Sequence, residues 1–248
     1  MNLEKSIREK RAFVEAFKLR SMRSSREVLR WVKSGTQEEI RLRARMMASV
    51  DEGVGALLGA LSKKGLLDNT VIIFLSDNGY FFGEHGLGPE RRFAYEEAIR
   101  SPLLIRYPRC FRSSTRSKEL VLAIDIAPTI LDLAGINKKA WKHIQGRSLL
   151  ELRSSGGPKW RSSFMCEYYG DNAMPWLHGM SYKAVRTHRY KYIHWTQRSM
   201  FDRQVNELYD LANDPYELTN ISGRTENQRL VNRLKNKLRQ HVCESLGI

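Results

Sequence analysis

Residues 68–86 read DNTVIIFLSDNGYFFGEHG, and this stretch decides the fold. Val71-Ile72-Ile73-Phe74-Leu75 is an unbroken apolar run, mostly β-branched or aromatic, which predicts a strand buried on both faces. Upstream, Met46, Met47, Val50, Val54, Leu57, Leu58 and Leu61 recur at helical spacing, so a helix with one buried face is expected to lead into that strand. Gly65 is placed to stop this helix, and Thr36 with Glu39 resembles a capping box at its start. Long helix, short turn and buried strand is the pattern of an α/β parallel sheet.

Further along, Leu103-Leu104-Ile105 reads as a second apolar strand, stopped before Pro108. Asp125-Ile126-Ala127-Pro128 opens a short helix, with Gly135 just past its end. Arg153-Ser154-Ser155-Gly156-Gly157-Pro158 reads as a linker or long loop. Phe164–Tyr169 and Ser181–Trp195 look like aromatic-rich antiparallel strands. Leu230, Leu234, Leu238 and Val242 form the apolar stripe of a last helix. Two domains are therefore expected, an α/β portion over residues 1–152 and a small α+β subdomain over 153–248.

The chain has 248 residues, with 42 Lys plus Arg against 27 Asp plus Glu, a net charge of +15. Charged residues at 28% and hydrophobic residues at 42% describe a globular chain rather than a disordered one. Residues 1–50 hold 13 Lys or Arg against 6 Glu, and 3–33 read as a basic, loosely amphipathic helix. The charge is compatible with an anionic partner. No nucleic-acid-binding module is recognisable, so nucleic acid is not an expected partner. Cys110, Cys166 and Cys243 fit neither a disulfide scaffold nor a zinc pattern. No apolar run reaches the ~20 residues of a membrane span. The opening MNLEKSIREKRAFVEAF has no apolar segment of the kind a signal peptide carries, and the localisation is not set by the sequence.

Chemistry concentrates just after the first strand. Ligands bind beyond the carboxyl ends of strands in open α/β sheets, which is where Asp77 and Asn78 fall. Both offer hard oxygens, suited to Ca²⁺ or Mg²⁺ rather than zinc. Two adjacent ligands do not complete a cage, and Asp77-Asn78-Gly79 also reads simply as a turn. His85 has a side chain that titrates near neutrality, suited to acid catalysis or substrate contact. Arg91 and Arg92 could bind a tetrahedral oxyanion through paired hydrogen bonds, or be surface charge. Trp176 and His178, on the loop around Pro175, could line a substrate cleft. Asn220-Ile221-Ser222 is a glycosylation sequon, meaningful only in a secretory pathway.

The run Asp68–Pro108, DNTVIIFLSDNGYFFGEHGLGPERRFAYEEAIRSPLLIRYP, resembles the C-terminal half of the sulfatases, sulfuric-ester hydrolases of alkaline-phosphatase-like fold. SVDEGVGALLGAL, LAIDIAPTILDLAGI, QGRSLL and ELYDLANDPYELTNIS continue the likeness in order, from about Arg41 to the end. The resemblance implies the back part of a mixed or parallel sheet flanked by helices, followed by the small antiparallel subdomain. It also implies that Asp77 and Asn78 match two of the protein ligands to one divalent ion, usually Ca²⁺. His85 matches a position at the rim of the pocket. Many sulfatases carry a lysine at the register of Glu90; here Arg91 or Arg92 would take its role, or the loop is shifted, the role is empty and the arginines salt-bridge to Glu96 or Glu97. Family members are often periplasmic, lysosomal or secreted.

The family nucleophile, a Cys or Ser in C/S-x-P-x-R that becomes formylglycine, is absent from these residues, as is the Pro-His-x-Pro motif. The expectation is therefore a sulfatase-family chain directed at aryl or carbohydrate sulfates. It would lack activity alone and be marginally stable or prone to associate, with a missing N-terminal half as a possible partner. Two alternatives stand beside it. One is a non-catalytic remnant that binds sulfated glycans or other polyanions. The other is a related phosphate- or phosphonate-ester metallohydrolase.

Overall fold

The computed structural model describes residues 36–86, 91–153, 159–170, 181–196 and 206–247. In chain order the elements are α1 (Gln37–Lys63), β1 (Ile72–Leu75), α2 (Glu96–Ile99), β2 (Leu103–Arg106), α3 (Ile126–Leu133), β3 (Ser163–Tyr168), β4 (Tyr182–Thr187), β5 (Tyr190–Trp195), β6 (Asn206–Asp210) and α4 (Gln228–Leu246). The helix expected over 3–33 and most of the expected linker lie outside the described residues. No described helix is long and apolar enough to cross a membrane.

The described chain divides into two compact units. One is Met47–Asp77 with Pro102–Ser162, and the other takes the described residues up to Met46, Asn78–Ser101 and the chain from Ser163 on.

In the first unit β1 and β2 pair antiparallel, with Ile73 opposite Ile105 and Leu75 opposite Leu103. The parallel arrangement expected for β1 is thus replaced by a two-stranded antiparallel ribbon among the described residues. The reason is local. Residues 76–102 are long enough for a parallel crossover, but among the described ones they form only loops, a 3₁₀ turn and the one-turn α2, with no crossover helix to carry the chain back to the same end. The expected burial of β1 on both faces also differs: Ile72, Ile73 and Phe74 are half-buried and Leu75 is exposed, since a ribbon has two open edges.

Helix α1 begins as expected, with the Glu39 N–H donating to Thr36 Oγ1 at 3.2 Å. It ends at Gly65, whose φ of 67° is the left-handed cap that glycine adopts freely. Its apolar stripe is not buried as expected. Val54, Leu58 and Leu61 are half-buried, but Met46, Met47, Val50 and Leu57 are exposed, Met46 at 72%. The periodicity is real, but among the described residues no second layer covers that face.

Asp125 organises the rest of this unit. Fully buried, it accepts the Leu122 and Arg147 N–H groups at 2.8 Å each and a two-pronged contact from Arg161 at 2.5 and 2.6 Å. A buried carboxylate is tolerable when its oxygens are this fully occupied. Gly146 lets the 146–147 backbone reach it, because a Cβ there would lie 2.2 Å from the Ile124 carbonyl oxygen. Thr129 adds a hydroxyl bond to the Asp125 carbonyl at 2.6 Å and accepts the Leu149 N–H at 2.9 Å.

The second unit is built on a four-stranded antiparallel sheet in the order β3-β4-β5-β6. The expected strand Ser181–Trp195 is two strands, because His188-Arg189 makes a tight turn stapled by Thr187 Oγ1, which bonds Tyr190 N and O. The fourth strand, β6, falls within the segment ELYDLANDPYELTNIS, where the sequence reading assigned no strand. One face of the sheet packs Ala184, Ile193 and Tyr209 against Phe81, Phe93, Ala94, Tyr95 and Ala98. The other packs Val185, Tyr192 and Leu208 against Leu234 and Leu238 of α4. The stripe predicted for the last helix is therefore its buried face, with Leu230 and Val242 half-buried beside it.

Candidate functional site

Asp77 and Asn78 follow β1 directly, as the sequence reading requires. Asp77 is exposed and accepts a long 3.4 Å bond from Ser76 Oγ, and Asn78 is half-buried. Asp77 closes a segment of the first unit, and Asn78 opens a segment of the second.

The chain after Asn78 is fixed by Gly79. Its N–H donates to the Ala98 carbonyl at 2.8 Å. A Cβ on residue 79 would sit 1.9 Å from the Glu97 carbonyl oxygen, so only glycine allows this backbone to lie against α2. Phe81 then buries completely, with its ring edge-on to Phe93, Tyr95 and His85. The loop residues 80–86 are thereby hung on an aromatic core rather than left free in solvent.

His85 is held tightly. Its backbone adopts φ 57°, ψ 14°, a conformation a non-glycine residue takes at some cost. Its ring stacks on Tyr95 at 4.3 Å between centroids, and Nε2 lies 3.0 Å from Glu97 Oε2. The side chain is only 3% exposed. Burial works against the charge on Glu97, but the hydrogen bond and charge of His85 outweigh it and hold the carboxyl below its usual range. An ionised Glu97 can only accept, so the Nε2 atom carries the shared proton. Stacking and hydrogen bond together fix the orientation of the ring.

Arg91 is exposed and Arg92 half-buried, just ahead of the buried Phe93-Ala94-Tyr95 run. Glu97 is engaged by His85, and Glu96 by Lys191 and Arg186. Trp176 and His178 lie outside the described residues. Asn220 spends its side chain on backbone groups, accepting Leu208 N–H at 3.0 Å and donating to Asn206 O at 3.1 Å.

Two buried acidic networks behind this segment went unseen in the sequence reading. Glu207 accepts Trp195 Nε1–H at 2.7 Å, Tyr95 O–H at 3.0 Å and Tyr209 O–H at 2.5 Å. Burial, then the Glu207 charge, pushes both tyrosine hydroxyls well above their usual range.

In the second network, fully buried Lys191 places Nζ 2.8 Å from Glu96 Oε1 and 2.8 Å from Glu217 Oε1. These are charge contacts, since the ammonium lacks hydrogen-bond alignment. Arg186 reaches Glu96 at 3.3 and 3.4 Å, and Glu217 Oε2 accepts the Glu96 N–H at 2.7 Å. Burial raises Glu217 to about 7 despite Lys191, whereas Lys191 and Arg186 overcome burial at Glu96 and hold it low. Glu217 reaches inward because its φ is 50°, a turn fixed by Asp214, which accepts Leu218 N–H at 3.0 Å and Thr219 N–H at 2.8 Å. The sequence signal for both networks was a charge inside an apolar strand, Lys191 in YKYIHW and Glu207 in NELYD.

Among the described residues no cluster of three or more His, Cys, Asp or Glu is arranged to hold a metal. Asp77 and Asn78 fit a hard cation by donor chemistry, as part of a larger ligand set.

The family model for sulfatases matches residues 8–136, and that for the C-terminal region of N-sulphoglucosamine sulphohydrolase matches residues 83–244. The chain is 38% identical over 194 residues to an N-acetylglucosamine-6-O-sulfatase of Bacteroides thetaiotaomicron, covering 77% of this chain and 33% of that protein. It is 35% identical over 211 residues to the human N-acetylglucosamine-6-sulfatase, covering 73% and 37%. A solved structure in complex with its substrate D-glucosamine-2-N,6-O-disulfate superposes with a TM-score of 0.70 at 37% identity, covering 78% of this chain and 38% of that one. The phosphonate monoester hydrolase of Agrobacterium radiobacter superposes with a TM-score of 0.67 at 28% identity, covering 80% and 40%. The chain spans about a third of the length of the curated relatives it matches. Each family model spans more than half of the 248 residues, and the chain belongs to the sulfatase family.

Proposed function

We propose that this chain forms the C-terminal part of a carbohydrate sulfatase whose substrate is a sulfated amino sugar. The observation that carries the reading is the Asp77-Asn78 pair at the end of β1, followed by a loop locked by Gly79 and Phe81. Support for the sugar comes from the N-acetylglucosamine sulfatases and the glucosamine disulfate complex among the relatives.

Asp77 and Asn78 would supply two oxygens to one Ca²⁺ or Mg²⁺, with the remaining ligands coming from residues other than these. When bound, such an ion polarises a sulfate ester and stabilises the charge that develops as its bond breaks. Arg91 and Arg92, at the start of the Phe93–Tyr95 run, are the candidates to grip sulfate oxygens with guanidinium N–H pairs. His85 presents a ring oriented by Glu97 and Tyr95. The C/S-x-P-x-R nucleophile is not among these 248 residues, so hydrolysis requires that residue from outside them.

Ligand-observed NMR tests the reading. In the protein that joins this chain to the residues completing the metal set, saturation transfer to D-glucosamine 6-sulfate should depend on added Ca²⁺, fall by about tenfold or more in Asp77→Ala, and exceed transfer to phenylphosphonate. Transfer that is indifferent to Ca²⁺ and to Asp77 would overturn it. Preference for phenylphosphonate would instead favour the phosphonate-ester reading, for which the Agrobacterium likeness is the specific observation.

A further inference from the structure

Among the described residues, helix α4 is the most one-sidedly charged element. Its buried face is Leu234 and Leu238, while Arg229, Asn232, Arg233, Asn236, Arg239 and Gln240 are exposed on the other side. Lys235 and Lys237 are half-buried at the flanks. From Gln228 to Cys243 the helix carries no acid.

The placement works against the helix. Its first turn lacks the acidic residues that the macrodipole favours there, and carries Arg229 instead. Arg229 with Arg233, Arg233 with Lys237, and Lys235 with Arg239 are like-charge pairs at i,i+4, which destabilise a helix by about what an opposite pair contributes. The one acid, Glu244, lies at the C-terminal end and turns to His241 and Gln240.

Elsewhere among the described residues several arginines are matched to carboxylates. Arg106 meets Asp68, Arg147 meets Glu151, Arg161 meets Asp125, Arg186 meets Glu96 and Arg189 meets Asp210. Among the described residues, no acid pairs with any of the five cations of α4. Arg239 makes only a 3.5 Å bond to Asn236. A local rule broken without a compensating contact marks a surface shaped for something other than stability.

We propose that the exposed face of α4 is a docking surface for a sulfated polysaccharide, separate from the Asp77-Asn78 segment. Arg229 to Gln240 rises about 16 Å along the helix, a length suited to successive sulfates of a polymer rather than to one small anion. Arginine is the cation that grips an oxyanion with two N–H groups, and the interleaved Asn232, Asn236 and Gln240 can bond sugar hydroxyls. The choice of a sulfated glycan over another polyanion rests on the carbohydrate-sulfatase reading above.

Retention of the full chain on immobilised heparin tests this. The triple variant Arg229→Gln, Arg233→Gln, Arg239→Gln keeps good helix formers at exposed positions, and its helicity is checked by circular dichroism. The comparison variant is Lys63→Gln, Lys64→Gln, Lys118→Gln, which removes the same charge from exposed positions elsewhere. The α4 triple should elute at clearly lower salt, with the salt slope of binding reduced by about one per arginine, while the comparison variant changes little. If the triple fails to fold, Arg233→Gln alone should lower the slope by about one.

Equal losses in the two triples, or no retention of the wild type at about 0.15 M salt, would overturn the proposal. So would duplex DNA competing as well as heparin. Retention needs neither metal nor turnover, so its failure leaves the sugar-sulfate reading standing. Failure of Ca²⁺-dependent sugar binding would leave the α4 surface standing.

Discussion

His85 shows how far a single position can be read before its neighbours are known. Its chemistry was legible because the side chain titrates near neutrality and sits in a glycine-flanked loop. Its restraint was not, because Glu97 and Tyr95 follow it by twelve and ten residues and meet it only through the loop's path. Lys191 and Glu217 were less legible still, since a charge in an apolar strand has no partner that spacing can name. Their pairing has a pH signature. The folded Glu217 titrates at about 7, above the ordinary glutamate value of 4.5. The native state therefore holds this proton more tightly than the unfolded chain, and its contribution to stability is fully present below about 4.5 and lost as pH rises through about 7. Glu96, held low, has the opposite sign and contributes above the unfolded glutamate range. Urea midpoints measured from pH 5 to 8 should fall with pH in the wild type, by up to ~3 kcal/mol in stability. In Glu217→Gln that slope should flatten, and an unchanged slope would contradict the assignment.

At the scale of the element, the strand and helix assignments that rest on periodicity held where the chain supplies both sides of the contact. The stripe of α4 is buried because the β3–β6 sheet lies beneath it. The stripe of α1 is equally periodic and stays largely exposed, because periodicity says which face is apolar and not what covers it. β1 followed the same logic: its apolar run was clear, but its antiparallel pairing with β2 depends on the path of the chain between them, which the run does not encode. The element that governs the candidate site is the contact between residue 79 and α2, which the sequence showed only as a glycine in a loop. Gly79→Ala would place a methyl group 1.9 Å from the Glu97 carbonyl oxygen, against backbone that cannot yield cheaply. We expect a loss of about 3 kcal/mol by urea denaturation, with the Glu97–His85 contact displaced. Gly223→Ala is the matched comparison, because nothing lies within 4 Å of a Cβ there, and it should cost well under half as much. Equal costs would show that the close approach is not what residue 79 provides.

For the whole molecule, the family was legible because several short motifs occur in one order, though none decides the matter alone. LAIDIAPTILDLAGI reads as an ordinary helix start, yet its Asp125 is the buried anchor for Arg147 and Arg161. DPYELTN reads as a turn, yet it aims Glu217 at Lys191. The metal set was only half legible, because Asp77 and Asn78 are two oxygen donors where a hard cation takes six or more. The remaining ligands and the nucleophile must therefore come from beyond these residues. The most direct measurement is to read the DNA upstream of the Met1 codon at the native locus, in all frames. We expect an encoded C/S-x-P-x-R segment followed by Pro-His-x-Pro, which would join Asp77 and Asn78 to a nucleophile. Unrelated sequence throughout that region would contradict the claim that this chain is the C-terminal part of a working sulfatase.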